Sequence, residues 1–352
     1  MKLNEILCNA VDNQASDIFI VSGVGLSYKA NGRLVKMDGG MLSPDDTKRL
    51  VHEIFTLGGY SFDIERMPEE ERDFSVSIVG MGRFRANIYK QRGSYAAVLR
   101  YVPFELPDAK TLGIPEQVMN LAKCKNGIVL ITGPAGSGKS TTLSCIIDKI
   151  NTERSGHIIT IEDPIEFLHK HSKCIISQRE ISIDTNSYID ALRAALRQSP
   201  DVILLGEMRD YETISTAMTA AETGQLVLST LHTLGASNTI DRIIDVFPIN
   251  QQRQIRIQLS MVLTAVISQQ LIPTISGTLV PAFEIMTMNS AIRTLIRDEK
   301  NHQIDTIIQS APGMQTMDNC ILKMYRDGLI TEETAINYAY NSDTMQKRIV
   351  QN

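Results

Sequence analysis

The chain has 352 residues, 43% of them hydrophobic and 21% charged, and its 35 basic against 40 acidic residues leave a formal net charge of −5. A length of this order accommodates about two domains with a sizeable core, and the mild acidity argues against a nucleic-acid binder that works through a broadly basic surface. The five scattered cysteines, Cys8, Cys124, Cys145, Cys174 and Cys320, contain no C-x2-C spacing, so they indicate neither a disulfide framework nor a zinc ribbon and read as reduced thiols of a cytosolic protein.

The first residues mix Asp and Glu among the apolar positions, and no signal peptide is expected. Leu3, Ile6, Leu7, Ala10 and Val11 stand at helical spacing over residues 3–14, and SDIFIVSG and VGLSYKANGRLVKM read as strands with a turn at Asn31-Gly32. A helix follows LSPDDTKRL, with Ser43 as N-cap and Pro44 as its first residue. Residues 72–102 read as strands punctuated by Gly80, Gly82 and Gly93, and together these elements predict a small α+β domain with an antiparallel sheet over residues 1–102. Residues 103–115 hold three prolines and a glycine without periodicity and read as a linker.

Beyond it, over residues 116–352, GIVLIT, HIITIEDP, DVILLGE and QLVLSTLHT alternate with the helical patterns KSTTLSCIIDKI, YIDALRAALRQ and ETISTAMTAAETG. Apolar strands alternating with amphipathic helices predict a mostly parallel sheet covered on both faces. From about Ser237 onward the pattern is helical, with residues 271–284 the one strand-like interruption. IRIQLSMVLTAVISQQLI, residues 255–272, is broken by Arg256, Gln258, Gln269 and Gln270 and reads as a buried helix rather than a membrane span.

Gly133, Pro134, Ala135, Gly136, Ser137, Gly138, Lys139 and Ser140 fit G-x-x-x-x-G-K-[ST] without mismatch, and with Thr141 beside them they are the candidate nucleotide-binding residues. Glycines let backbone N–H groups converge on phosphate oxygens, and the helix N-terminus adds its partial positive charge. Lys139 is placed to reach the β and γ phosphates of ATP, with Ser140 on Mg²⁺. Hydrolysis also needs a group that orients water. Glu162, Asp163 and Glu166 follow one apolar strand and Glu207 follows another, where a glycine, Gly206, takes the place that aspartate holds in many phosphate-loop proteins. Glu207 is the candidate for polarising the attacking water. His232 ends a third strand; alone it reads as a structural histidine, but beside the other two strand ends it is a candidate sensor of the γ-phosphate. Arg193 and Arg197 fall four apart on one helical face, and Arg83, Arg85, Arg92 and Arg100 lie in the first domain. Each arginine alone reads as solvated surface.

GPAGSGKSTTL, ITIEDPIEF and ALRQSPDVILLGEMRDYETISTAMTAAETGQLVLSTLHT together resemble the secretion-superfamily ATPases of type II secretion and type IV pili, from ASDIFI at Ala15 to GMQTMDNCI. The resemblance implies a PAS-like N-terminal α+β domain followed by a RecA-like ATPase domain with a helical C-terminus. Three features favour the retraction branch over the assembly branch. No long extension precedes the small domain, no tetracysteine motif follows the nucleotide motifs, and AIRTLIRDEK at residues 291–300 is similar to the AIRNLIRE signature of retraction ATPases. Ile292, Leu295 and Ile296 of that segment share one helical face and Arg293 and Arg297 another.

At the matching positions the resemblance implies that Lys139 is the Walker lysine and Glu207 the catalytic glutamate. Glu162, Asp163 and Glu166 match acids that approach Mg²⁺ or water, and His232 matches the histidine-box residue. Arg85 and Arg100 match arginines that reach a neighbouring subunit's nucleotide, and Arg193 and Arg197 also match. Phe19 stands where ASDLHL has histidine, and LHTLG stands where many relatives have LHTNS. The implied protein is a cytoplasmic homohexamer, peripheral to the membrane, that acts on an inner-membrane platform protein and through it on pilin, with no direct nucleic-acid partner. Hydrolysis would change the rotation of one domain on the other about residues 103–115. The alternatives are a pilus-assembly or type II secretion ATPase, an accessory retraction motor, a RecA-type nucleic-acid translocase with a basic channel, and a regulator that binds ATP without hydrolysing it.

Overall fold

The computed structural model describes residues 2–30, 33–61, 63–64, 67, 70–78, 81–102 and 106–351. The turn expected at Asn31-Gly32, the break at Gly80 and residues 103–105 of the expected linker lie outside them. The chain divides into two compact units, residues 1–105 and 106–352.

The first unit runs α1 (Leu3–Asp12), β1 (Asp17–Ile20), β2 (Gly25–Ala30), β3 (Arg33–Met41), α2 (Pro44–Leu57), β4 (Arg72–Ile78), β5 (Gly82–Gln91) and β6 (Ser94–Val102). Its described strands form one sheet in the order β3-β2-β1-β6-β5-β4, and each pairing is antiparallel. Ser43 caps α2 by accepting the Asp46 N–H, and Pro44 occupies the position where a missing N–H costs nothing. The apolar stripes Leu3, Ile6, Leu7 and Leu50, Val51, Ile54 of the two helices pack on Ile18, Phe84, Ile88 and Leu99 of the sheet.

The second unit runs α3 (Glu116–Met119), β7 (Gly127–Thr132), α4 (Lys139–Glu153), β8 (Gly156–Glu162), β9 (Cys174–Glu180), α5 (Tyr188–Ala195), β10 (Val202–Leu205), α6 (Tyr211–Glu222), β11 (Leu226–Leu231), α7 (Ala236–Asp245), α8 (Ile249–Val262), β12 (Leu263–Pro273), β13 (Leu279–Thr287), α9 (Ser290–Arg297), α10 (Ile304–Ser310), α11 (Met317–Arg326), α12 (Glu332–Tyr338) and α13 (Ser342–Val350). Its sheet has the order β13-β12-β7-β11-β10-β8-β9. The pairings are parallel except β12 with β13. Alternate residues of each central strand enter two separate cores. Leu130, Ile159, Leu205 and Val227 pack with helices α5 to α8, whereas Val129, Ile131, Ile158 and Leu204 pack with Leu143, Ile146 and Ile147 of α4. Both faces being buried, β7, β10 and β11 are uninterrupted apolar or small-residue runs. A smaller core joins Ile272 and Ala282 of the β12–β13 hairpin to Met317, Ile321, Ala335 and Met345 of the last three helices.

The mixed α/β class expected from the sequence is thus found, with two local corrections. Residues 255–272, read as one buried helix, divide: α8 stops at Val262 and Leu263–Pro273 is strand β12. A buried strand and a buried helix both present an apolar run, and the parallel pairing of Leu263 to Ser268 with β7 settles the choice. The strand-like interruption placed at 271–284 is correspondingly two longer strands, β12 and β13. Strand β9 was not foreseen, because its second half, Ser177 to Glu180, is polar and it pairs on one side only, with β8.

Ile267 is fully buried in β12 between β7 and β13. Ile267→Ala is expected to lower unfolding stability by roughly 2–5 kcal/mol, the range for truncating a buried isoleucine, read from the urea midpoint of the main transition; a cost typical of an exposed position would overturn the burial of Ile267 between β7 and β13.

Candidate functional site

Because β7, β8, β10 and β11 run parallel, their C-terminal ends share one edge of the sheet, the edge at which ligands bind in open α/β sheets. Each strand end delivers one piece of the site. After β7 the chain turns through Gly133 to Gly138 and enters α4 at Lys139. Gly133, Gly136 and Gly138 all have positive φ, at 140°, 76° and 85°. A side chain on Gly133 would collide with the carbonyl oxygen of Gln269, and one on Gly138 would lie 2.9 Å from the Gln269 amide nitrogen. The loop therefore keeps its backbone N–H groups uncovered at the start of a 15-residue helix, a cradle for anions. Ser137 Oγ is buried with no hydrogen-bond partner. Lys139 Nζ donates to the carbonyls of Gly133 and Pro134, both at 2.9 Å. Burial lowers its pKa, and the Glu166 and Glu207 carboxylates oppose that shift.

The loop faces a hollow of about 460 Å³ lined by Ala135, Gly136, Gly138, Lys139, Ser140 and Thr141, by Glu162, Asp163 and Glu166 from the end of β8, by Glu207 after β10 and by His232 after β11. The Ser140 hydroxyl and the carboxyls of Glu162, Asp163 and Glu166 are hard oxygen donors of the kind Mg²⁺ takes; among the described residues no three acids or histidines cluster closely enough to hold a metal by themselves, so an ion here would rely on phosphate oxygens as well. Glu162 Oε1 accepts from Thr160 Oγ1 at 2.6 Å and from Gln178 Nε2 at 3.3 Å. Burial nevertheless pushes its pKa up to about 7, with the neighbouring Glu166 adding to the rise. Asp163 and Glu166 are exposed. Glu207 lies between Arg209, whose Nε is 2.5 Å from Oε2, and His232, whose Nε2 is 3.5 Å from the same oxygen. Thr230 Oγ1 donates to the Gly206 carbonyl at 2.6 Å and ties the end of β10 to β11.

The glycine that precedes Glu207 has a steric neighbour. A Cβ on Gly206 would lie 2.7 Å from the Tyr188 hydroxyl and 3.4 Å from the Ile161 carbonyl oxygen. Tyr188 fills the space an aspartate would need, and burial raises its phenol pKa, reinforced by Glu207, Asp163 and Glu162.

The arginines stand elsewhere. Arg193 pairs with Glu212 at 3.1 Å, and Arg197, just past the end of α5, donates to the Arg193 carbonyl at 3.0 Å; neither lines the hollow. Arg85 and Arg100 belong to the first unit, directly opposite one another on β5 and β6, with Arg100 Nε 2.9 Å from Asp17 Oδ1 and Arg85 Nε 4.0 Å from Asp73 Oδ1. Arg209, Tyr188, Thr160 and Gln178 were not singled out from the sequence. Arg209 lies two residues from Glu207, close enough for that motif to have pointed to it. Tyr188 and Gln178 come from separate elements and carried no signal. A second hollow, about 520 Å³ and mostly apolar, adjoins Gly138, Thr141 and Thr142 and is lined by Leu112, Ile114, Leu271 and Pro281 among others.

The sequence profile of the family described as Type II/IV secretion system protein matches residues 1–282. The type IV pilus retraction ATPase PilT of Pseudomonas aeruginosa is 42% identical over 340 residues, 95% of this chain and 97% of that protein. The twitching motility protein of Neisseria gonorrhoeae is 49% identical over 278 residues, covering 78% and 74% of the two chains. The crystal structure of the pilus retraction motor PilT with bound ADP aligns with a TM-score of 0.89 at 46% identity, over 99% of each chain.

If Tyr188 is what keeps position 206 a glycine, Gly206→Ala is expected to destabilise the protein in the Tyr188 background and markedly less in Tyr188→Phe. A double-mutant cycle by urea unfolding should show coupling of about 1 kcal/mol or more, within the range for residues in contact. Additive effects would remove the steric explanation.

Proposed function

The chain belongs to the Type II/IV secretion system protein family, and on that premise we propose that it is an ATP-hydrolysing motor that powers type IV pilus retraction. The single observation that carries the reading is that Lys139 and Glu207, from different strand ends, line one hollow at the mouth of a phosphate-binding loop, in a chain alike over its length to named retraction ATPases.

The loop N–H groups and Lys139 hold the β and γ phosphates, which draw the ammonium from its carbonyl partners Gly133 and Pro134. Ser140 and the acids Glu162, Asp163 and Glu166 are the residues for Mg²⁺, which when bound neutralises charge on the phosphate oxygens. Glu207 orients and polarises the attacking water, and its neighbours Arg209 and His232 hold the carboxylate in place. The apolar hollow beside Thr141 and Thr142 suits the purine ring. Arg85 and Arg100 are offered to the nucleotide of a neighbouring subunit in a homohexameric ring, and Arg193 and Arg197 stabilise the α5–α6 side. The ring works in the cytoplasm against an inner-membrane platform protein, and pilin leaves the fibre as a result. Among the described residues no helix is long and apolar enough to cross a membrane.

Deletion of the gene is expected to leave cells hyperpiliated and unable to twitch; bald cells would overturn retraction in favour of assembly. In the purified protein, Glu207→Gln should lower kcat by roughly 100-fold or more while ADP still binds, as removal of a general base does. Arg100→Ala should leave nucleotide binding nearly intact and sharply reduce hydrolysis by the assembled ring, and turnover equal to that of the unsubstituted chain would end the assignment of Arg100 in trans.

A further inference from the structure

Glu284 of β13 is 2% exposed and stands between the first turns of two helices. Its Oε1 accepts the Ala236 N–H of α7 at 2.7 Å, and the Met317 N–H of α11 lies near the same carboxyl and favours its charged form. The turn that leads into α7 is His232 to Gly235. Gly235 sits at φ 84°, ψ 146°, a region open to glycine alone, and a Cβ there would approach the Tyr340 ring at 3.5 Å. The Gly235 N–H donates to Ser268 Oγ at 3.1 Å, and that hydroxyl is 2.7 Å from Thr132 Oγ1, the last residue before the phosphate loop. Tyr340, between α12 and α13, stands against Gly235 with its hydroxyl near Ser268. Asp318 of α11 anchors it by accepting the Tyr340 N–H at 2.7 Å.

These contacts connect three parts that share no sequence neighbourhood: the end of β7, the turn carrying His232, and the C-terminal helices. Stability does not account for Glu284. A buried carboxyl that two N–H groups only partly compensate is often replaceable by apolar packing without loss. Desolvation pushes its pKa up to about 7, with Asp305 of α10 and Asp318 of α11 adding to the rise and the Ala236 and Met317 N–H groups opposing it. Its carboxyl in turn helps raise the Tyr340 phenol. The folded chain therefore binds a proton that the unfolded chain gives up between about pH 4.5 and 7, so this group's contribution to stability falls as pH rises through 7.

We infer that Glu284 and Tyr340 are positioning residues that hold the 232–235 turn, so that the C-terminal helices α11 to α13 set how His232 stands against Glu207. The inference rests on the reading of the hollow as a site of ATP hydrolysis. It predicts a regulatory path: whatever displaces the last three helices changes turnover without touching the nucleotide.

The full-length chain contains no tryptophan, so Leu234→Trp, at a half-exposed position of the turn, gives a single fluorescent reporter. In Glu284→Met, which removes the oxygen that accepts the Ala236 N–H, and in Tyr340→Phe, kcat for ATP is expected to fall about fivefold, the factor that one hydrogen bond of about 1 kcal/mol corresponds to. The affinity for fluorescent ADP should stay within about twofold, a kcat loss without a binding loss, and acrylamide quenching of the reporter should increase as the turn is released. Unchanged kcat, a parallel loss of ADP affinity, or an unmoved reporter overturns the inference. Tyr340→Phe removes one hydroxyl only and decides the matter should Glu284→Met fold poorly. Failure of the underlying reading is distinct: the unsubstituted chain would then hydrolyse no ATP, whereas reporter quenching in the two variants would still decide whether these residues hold the turn.

Discussion

A phosphate-binding loop works only if nothing covers its backbone, and the second unit is arranged around that requirement. The loop is pressed from behind by β12, whose Gln269 carbonyl and side chain leave no room for a Cβ at Gly133 or Gly138. Thr142 in the first turn of α4 donates to Gln269 Oε1 at 2.8 Å, so the same glutamine fixes both the loop and the helix that follows it. The strand that supplies Gln269 pairs with β7 on one side and β13 on the other. The loop is thus part of the sheet's own hydrogen-bonded fabric rather than an appendage to it.

Parallel strands then assemble the chemistry. β8, β10 and β11 end on the same edge of the sheet as β7, and at or just after each end stands a residue with a proton or a charge to offer: Glu162, Glu207 and His232. Burial raises the cost of ionising Glu162, and hydrogen bonds from Thr160 and Gln178 oppose that rise, while Arg209 lies against Glu207. Sterics complete the arrangement. Tyr188 occupies the space over Gly206, so the acid of that motif is Glu207 alone.

The elements that sequence patterning identified share a trait: their local signal is unopposed. Ser43 and Pro44 mark the start of α2, the glycines with Lys139 mark the loop, and the four apolar runs mark β7, β8, β10 and β11. Where patterning erred, an apolar run could serve two structures, as at residues 255–272, or a strand lay at the sheet edge with polar residues along half its length, as at β9. In the site, Lys139, Glu162, Glu207 and His232 were legible because each follows a strand with a motif. Tyr188, Gln178 and Glu284 were not, because each acts on a residue far away in sequence and looks ordinary beside its own neighbours.

Spacing and residue type carry three facts locally: the α/β class, the phosphate loop that opens a helix after the first strand of the larger unit, and the strand-end acids that accompany it. That Gln269 backs the loop, that Tyr188 crowds position 206, and that Glu284 and Tyr340 reach the turn of His232 follows from the folded arrangement alone. Those facts are contacts between segments far apart in the chain, 127 residues in the case of Thr142 and Gln269. Steric exclusion and the sharing of a buried carboxyl depend on which segments meet in space, and no periodicity along the chain records that.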